Sequence, residues 1–171
     1  VPSVIYGFMG LVIIVKFFEN MGMATGETVL AGGILLSIMI LPFMISVCEE
    51  NMGETKERYE KISDAMGVCK WYMVSEIILP LSFKSIIISI ILSMGRAMGE
   101  TMAVMMVIGN APIFPKLMGK AQTISSLIAL EMGMAEVGSL HYSALFASGF
   151  ILMMMIFCIN IFINYLKKKF L

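Results

Sequence analysis

Three long stretches of the chain are almost entirely apolar, at about 28–48, 84–109 and 142–165. Each is close to the ~20 residues that an α-helix needs to cross the hydrocarbon core of a bilayer, so each predicts a transmembrane helix. A shorter apolar run at about 3–18 holds Lys16 near its end. It predicts a tilted span, an interfacial helix or part of a buried bundle. The pattern therefore predicts one all-α membrane domain over residues 1–171.

The polar segment 49–83, between two of these spans, has a helical period of its own. Tyr59, Ile62 and Met66 recur at helical spacing among charged residues, which predicts a short amphipathic helix. Gly67 is expected to end that helix, because glycine readily adopts the backbone conformation of a helix C-terminus.

A second short helix is predicted after Gly67. Its apolar face consists of Trp71, Val74 and Ile78, and Pro80 is expected to end it. Two short helices with an apolar face and no partner in the chain predict a docking surface for another protein. The alternative is that both helices lie against lipid headgroups.

The other long loop, 110–141, is also expected to contain a helix. Pro112 and Pro115 break the preceding helix after Asn110, and Thr123 is a candidate N-cap for a helix over 123–136. This segment is a candidate for an outer gate or a receptor platform, and equally for a helix packed on the bundle.

Composition agrees with a membrane protein. Hydrophobic residues make up 59% of the chain and charged residues 14%, and the mean hydropathy is +0.93, which is far more apolar than a soluble domain of this size. A formal net charge of zero argues against a nucleic-acid partner. The three cysteines have no CxxC spacing, and the single histidine lies near none of them, so no metal site is predicted.

Lysine and arginine residues are concentrated in two regions, the segment 49–84 and the carboxyl-terminal tail. They are Lys56, Arg58, Lys61, Lys70, Lys84, Lys167, Lys168 and Lys169. Basic residues favour the cytoplasmic side of a membrane, so 49–83 and the C-terminus are predicted to be cytoplasmic and 110–141 extracytoplasmic. Two crossings separate the two basic regions, which is consistent with their lying on the same side.

One apolar stretch contains two opposite charges, Arg96 and Glu100. On a continuous helix over 84–109 they would share one face and partly neutralise each other. Charges within a span are rare and usually functional, so the pair predicts a path for a polar substrate. A structural ion pair that fixes helix packing is the alternative.

Several segments of the chain resemble ABC-importer permeases. The run KISDAMG at 61–67, followed thirteen residues later by Pro80, resembles the EAA loop of bacterial and archaeal members. The run GRAMGETMAV at 95–104, together with VIGN at 107–110, resembles the signature of the PstC-type phosphate permease family. The opening PSVIYG at 2–7 is also similar to that family.

This resemblance implies a polytopic transmembrane helix bundle of the MetI-like fold in a prokaryotic inner membrane. The chain would supply the last four of six spans, with the amino-terminal part missing; it begins with Val1, without an initiator methionine or a secretory signal. The implied partners are a second homologous permease subunit, a dimer of cytoplasmic ATP-binding subunits and an extracytoplasmic phosphate-binding protein. The implied substrate-path residues are Arg96, Glu100, Thr101 and Asn110. The implied ATPase-coupling residues are Tyr59, Ile62, Met66, Gly67, Trp71 and Pro80.

One departure from the family concerns coupling. Lys61-Ile62-Ser63 stands where the family has Glu-Ala-Ala, with Glu60 one position early. A salt bridge from the family's glutamate to the ATPase is therefore not carried over to Lys61, whereas the glycine is retained at Gly67.

The expected function is inward transport of inorganic phosphate. The chain lacks a GxxxxGK[ST] motif, so ATP and Mg²⁺ are expected on the partner ATPase and no cofactor in this chain. No catalytic motif such as HExxH is present, and the chain is not expected to be an enzyme. A permease for another oxyanion, sulfate or molybdate, is the nearest alternative. An ion-coupled secondary transporter is a more distant one, because it would not need the two-helix cytoplasmic segment.

Overall fold

The computed structural model describes residues 2–23 and 25–170, without the side chains of residues 166, 167, 169 and 170. Its helices are α1 (Ser3–Asn20), α2 (Val29–Ala65), α3 (Lys70–Met98), α4 (Met102–Met105), α5 (Ile124–Glu131) and α6 (Leu140–Phe170). Among the described residues, Gly109 and Ala121 form an isolated β-bridge. The all-α prediction is confirmed. The side chains of Lys167 and Lys169 in the basic tail lie outside the described residues.

Four of the described helices are long and apolar enough to cross a membrane. They are Ser3–Asn20, Val29–Ala65, Lys70–Met98 and Leu140–Tyr165. Each contains or overlaps one of the four apolar runs of the sequence, so the shortest run is long enough to be a span as well. Six residues in α1 (Gly10–Val15) and six in α3 (Met73–Ile78) adopt the wider π geometry.

Helix α2 is much longer than the apolar run that it contains. The sequence predicted a span over 28–48 and a separate amphipathic helix near Tyr59, but one helix of 37 residues runs to Ala65. Residues 49–65 contain no proline and only Gly53 among the glycines, so nothing interrupts the helix. At 1.5 Å per residue its length is about 55 Å, which exceeds the ~30 Å hydrocarbon core. Its charged carboxyl-terminal part therefore extends beyond the bilayer.

Helix α3 combines the predicted short helix after Gly67 with the predicted span over 84–109, and the predicted end of each was wrong. Pro80 does not end a short helix, because α3 continues through it from Lys70 to Met98. The π turn lies directly before Pro80, where the missing N–H removes one regular helical bond. At the other end, the predicted helix over 84–109 stops at Met98. The backbone N–H groups of Gly99 and Glu100 bond to carbonyls three residues earlier, which tightens and closes the last turn.

The chain forms two units. The first contains residues up to Ile40 together with Arg96–Cys158, and the second contains Leu41–Gly95 and the residues from Ile159 onward. The first unit has an apolar core made of α1, the start of α2 and the segment around α4. Its buried residues are Val15, Phe18, Ala31, Leu35, Ala103 and Val107.

Two glycines on α1 allow this core to close. A Cβ on Gly7 would lie 2.8 Å from Met106 Sδ and 3.0 Å from the Ala103 Cα, and a Cβ on Gly10 would lie 2.9 Å from Leu35 Cδ1. Small residues that permit close backbone approach are the usual packing device between membrane helices. Helix α1 is thus fixed against both α2 and α4.

In the second unit, serines occupy the buried face of α3. Ser82, Ser89 and Ser93 are buried, and the hydroxyls of Ser89 and Ser93 donate to the carbonyls four residues earlier at 2.9 and 2.7 Å. Each of these two buried hydroxyls thus has a partner within its own helix, so the small side chains can pack without leaving an unsatisfied donor.

Candidate functional site

The predicted substrate-path residues lie where α3 ends and α4 begins. Glu100 is outside both helices, and one of its carboxylate oxygens accepts a hydrogen bond from the Ala103 N–H at 3.4 Å. Its backbone carbonyl accepts a bond from the Ser125 hydroxyl at 3.2 Å. Glu100 therefore joins the end of α3 to the first turns of α4 and α5.

Because α3 ends before Glu100, the helical argument for the Arg96–Glu100 pair is wrong. Arg96 lies in the last helical turn of α3 with an exposed side chain, whereas Glu100 is partly buried in the non-helical joint. The glycine at position 99, which is exposed and forms the turn, accounts for the break. Nothing in the charge pattern of the sequence indicated it.

Thr101 lies directly before α4, and Asn110 lies five residues after its last residue, Met105. The Thr101 hydroxyl donates to the Gly99 carbonyl at 3.2 Å, and the Asn110 side-chain amide donates to the Met105 carbonyl at 2.6 Å. Asn110 has a φ of 45°, in the left-handed region that asparagine tolerates better than most residues. Its amide oxygen is buried and, among the described residues, has no hydrogen-bond partner.

Two further charged residues of this site were not predicted. Lys120 Nζ lies 2.7 Å from Glu27 Oε2, and each side chain is about one third exposed. The Lys120 side chain packs on Gly109, where a Cβ would come within 2.7 Å of its Cγ and Cδ; Gly109 also has a φ of 84°. Glu27 and Lys120 are 93 residues apart, so no local spacing could have linked them.

The loop that carries Lys120 also caps helix α2. The N–H groups of Val29 and Leu30 donate to the carbonyls of Gly119 and Leu117 at 3.0 and 3.1 Å. The buried Thr28 hydroxyl accepts from the Ala31 N–H at 3.1 Å. Three of the four N–H groups that a helix start leaves without an intrahelical partner are therefore satisfied.

Helix α5 begins as predicted at Thr123. The Thr123 hydroxyl accepts from the Ser126 N–H at 3.2 Å, and the Ser126 hydroxyl accepts from the Thr123 N–H at 3.1 Å, which completes a capping box. The helix ends at Glu131, earlier than expected. Ser125, in the first turn of α5, lies against Glu100.

The predicted coupling residues belong to the second unit, around the end of α2. Gly67 has a φ of 69°. The Gly67 N–H bonds to the Asp64 carbonyl at 3.1 Å and the Val68 N–H to the Ser63 carbonyl at 3.0 Å. These two bonds form a Schellman motif, so the prediction that Gly67 ends the helix is confirmed.

The apolar coupling residues are mostly exposed. Ile62, Met66 and Trp71 expose 51%, 65% and 79% of their surface, which is a large apolar area for the polar end of a helix. Tyr59 is partly buried and lines a polar cavity of about 230 Å³ together with Arg58 and Ser85. Pro80 lies inside α3 and is exposed.

Comparison with known proteins places the whole chain in one family model. Residues 1–171 match the model described as binding-protein-dependent transport system inner membrane component. No solved structure matches the chain.

Individual relatives are similar over nearly all of this chain. It is 36% identical to the probable ABC transporter permease protein YqgH of Bacillus subtilis over 99% of its length and 55% of that protein. It is 32% identical to the phosphate transport system permease protein PstC of Xylella fastidiosa, over 93% of this chain and 55% of the relative. For the probable PstC of Methanocaldococcus jannaschii the identity is 32%, over 98% and 59%. The chain thus spans a little over half the length of these relatives.

Proposed function

Because the chain belongs to the family of binding-protein-dependent transport system inner membrane components, we propose that it is part of a membrane-spanning subunit of a phosphate importer. As a family member with four span-capable helices, it is a multi-pass subunit of an ABC transporter in the inner membrane. The 32% identity to PstC proteins over most of the chain is the observation that supports phosphate as the substrate.

In this proposal Arg96 contacts the transported anion. Its planar guanidinium can bind two oxygens of one oxyanion at once, which a lysine ammonium cannot do. The exposed position of Arg96 in the last turn of α3 supports such a role. Glu100, Thr101 and Asn110 act on the same path by holding the joint between α3 and α4, since each is bonded to the backbone of that joint or of α4.

The proposed coupling surface comprises the exposed apolar residues at the end of α2 and the start of α3, with Gly67 between them. A partner ATP-binding subunit would cover Ile62, Met66 and Trp71, and ATP and Mg²⁺ would be bound there rather than on this chain. A second permease subunit and an extracytoplasmic phosphate-binding protein would complete the importer. The basic residues of 49–84 support a cytoplasmic location for this surface and for the C-terminus.

Phosphate uptake by Arg96 variants tests the proposed path. The full-length subunit is expressed in cells that lack their own phosphate permease, and uptake is measured beside the amount of assembled complex. Arg96→Lys keeps the charge but removes the planar fork, so uptake should fall sharply while assembly is retained. Lys16→Gln removes an exposed cation from α1, outside the proposed path, and should leave uptake unchanged.

A double variant separates transport from structure. Arg96→Gln combined with Glu100→Gln leaves neither charge unpaired, so the complex should assemble but not transport if Arg96 binds the anion. Full uptake by the double variant would refute the transport role and favour a structural ion pair. Competition with sulfate and molybdate tests the substrate: loss of phosphate uptake in their presence would favour the alternative oxyanion permease.

A further inference from the structure

The loop after Asn110 exposes four large apolar side chains, Ile113, Phe114, Leu117 and Met118, which we call the 113–118 patch. Phe114 is 86% exposed and Leu117 is 71% exposed. Removal of apolar surface from water is favourable in proportion to its area, so the patch has a strong tendency to leave water. It belongs to neither the proposed substrate path nor the coupling surface.

Two backbone hydrogen bonds fix the depth of this loop relative to the bilayer. The carbonyls of Leu117 and Gly119 accept from the N–H groups of Leu30 and Val29, where the span-capable helix α2 begins. The first residues of a span lie at the boundary between headgroups and hydrocarbon. The patch is therefore expected at the level of the lipid headgroups, beside the start of α2.

The charge around the patch favours lipid over an acidic or mixed protein surface. Residues 101–130 contain no aspartate or glutamate, and their two basic residues are Lys116 and Lys120. Lys120 is paired with Glu27, whereas Lys116 lies inside the patch and is exposed. Exposed aromatic and aliphatic side chains around a lysine are typical of segments that bind the interface of anionic membranes.

We propose that the 113–118 patch is a shallow membrane anchor, inserted into the headgroup layer at the start of α2, with Lys116 directed to lipid phosphate groups. Insertion stays shallow because irregular backbone cannot enter the hydrocarbon without leaving its polar groups unsatisfied. Phe114 is expected about 5–10 Å inside the interface, as for interfacial helices. The anchor would hold the carbonyls that cap α2 in place, and it is independent of the transported substrate.

Spin labelling tests the proposal. A cysteine replaces Phe114 in the full-length subunit, with Cys48, Cys69 and Cys158 changed to serine. The labelled, assembled complex is reconstituted in vesicles with and without phosphatidylglycerol. Collisions of the label with oxygen, which concentrates in lipid, are compared with collisions with a water-soluble nickel chelate. A label at Phe150, an exposed residue of α6, serves as the deep reference.

Each outcome decides the question. A high oxygen-to-nickel ratio at position 114, lower than at position 150 and raised by phosphatidylglycerol, is the expected result. High nickel access would place the loop in water and overturn the proposal. Low access to both reagents would show that protein rather than lipid covers the patch, and would overturn the proposal equally. A ratio that is insensitive to phosphatidylglycerol would refute the role of Lys116.

Discussion

Replacement of Gly67 by alanine should loosen the end of α2 without disturbing any span. Gly67 has a φ of 69°, and a Cβ at this position would meet nothing within 4 Å. The cost is therefore conformational alone, about 1–2 kcal/mol for an L-residue in the left-handed region. This free energy opposes the Schellman bonds that join Gly67 to Asp64 and Val68 to Ser63.

Gly53 provides a matched control in the same helix. A Cβ on Gly53 also meets nothing within 4 Å, but the residue lies in the helix interior, where alanine is favoured over glycine by about 0.5–1 kcal/mol. Gly53→Ala should thus stabilise α2 slightly. Gly67→Asn should be milder than Gly67→Ala, because asparagine tolerates the left-handed conformation.

Amide hydrogen exchange of the purified complex measures the effect directly. A loss of 1–2 kcal/mol should speed exchange of the Val68 amide by about 5- to 30-fold, and ATP-binding subunit recruitment and phosphate uptake should fall with it. Membrane insertion should remain normal. If Gly67→Ala matched Gly53→Ala in exchange, recruitment and uptake, the helix end would not be the coupling element.

Three further tests concern the first unit and the topology. Gly109→Ala should strongly reduce the amount of folded complex, measured by detergent gel filtration, because its Cβ would lie 2.7 Å from Lys120 Cγ and Cδ at a positive φ; normal yield would contradict this packing. Lys120→Glu should lower the thermal unfolding temperature, and adding Glu27→Lys should restore part of it; no rescue would mean that the pair contributes nothing. A variant whose sole cysteine is Cys69 should react with impermeant maleimide only from the cytoplasmic side, and one with only Met134→Cys only from outside; the reverse pattern would overturn the topology.

The sequence predicted the elements whose signals are local. Apolar runs identified four helices, Gly67 marked the end of α2, and Thr123 marked the start of α5. It failed where several local signals competed, because Pro80 is accommodated by a π turn and the charged residues 49–65 continue a helix instead of starting one. The family resemblance was confirmed by the family match.

The geometry of the candidate site could not be predicted in the same way. The helix breaks at the Gly99 turn, and the joint after it is held by a tertiary bond from the Ser125 hydroxyl to the Glu100 carbonyl, which no local pattern indicates. The Lys120–Glu27 pair joins residues far apart in sequence, which hydrophobic periodicity cannot detect. The predicted placement of Arg96 and Glu100 on one helix face was wrong because α3 ends at Met98, although the residues themselves remain candidates for the path.

The capping of α2 by the loop at 116–121 has a practical consequence for protein engineering. A proline-containing loop between two spans looks like a safe place for an epitope tag, but an insertion beside Leu117 or Gly119 would displace the carbonyls that hold Val29 and Leu30. Each N–H that loses its acceptor and stays buried lowers the stability of the fold by about 1–3 kcal/mol. The turn at 133–138 is the better position, because a Cβ on Gly133 or on Gly138 would meet nothing within 4 Å.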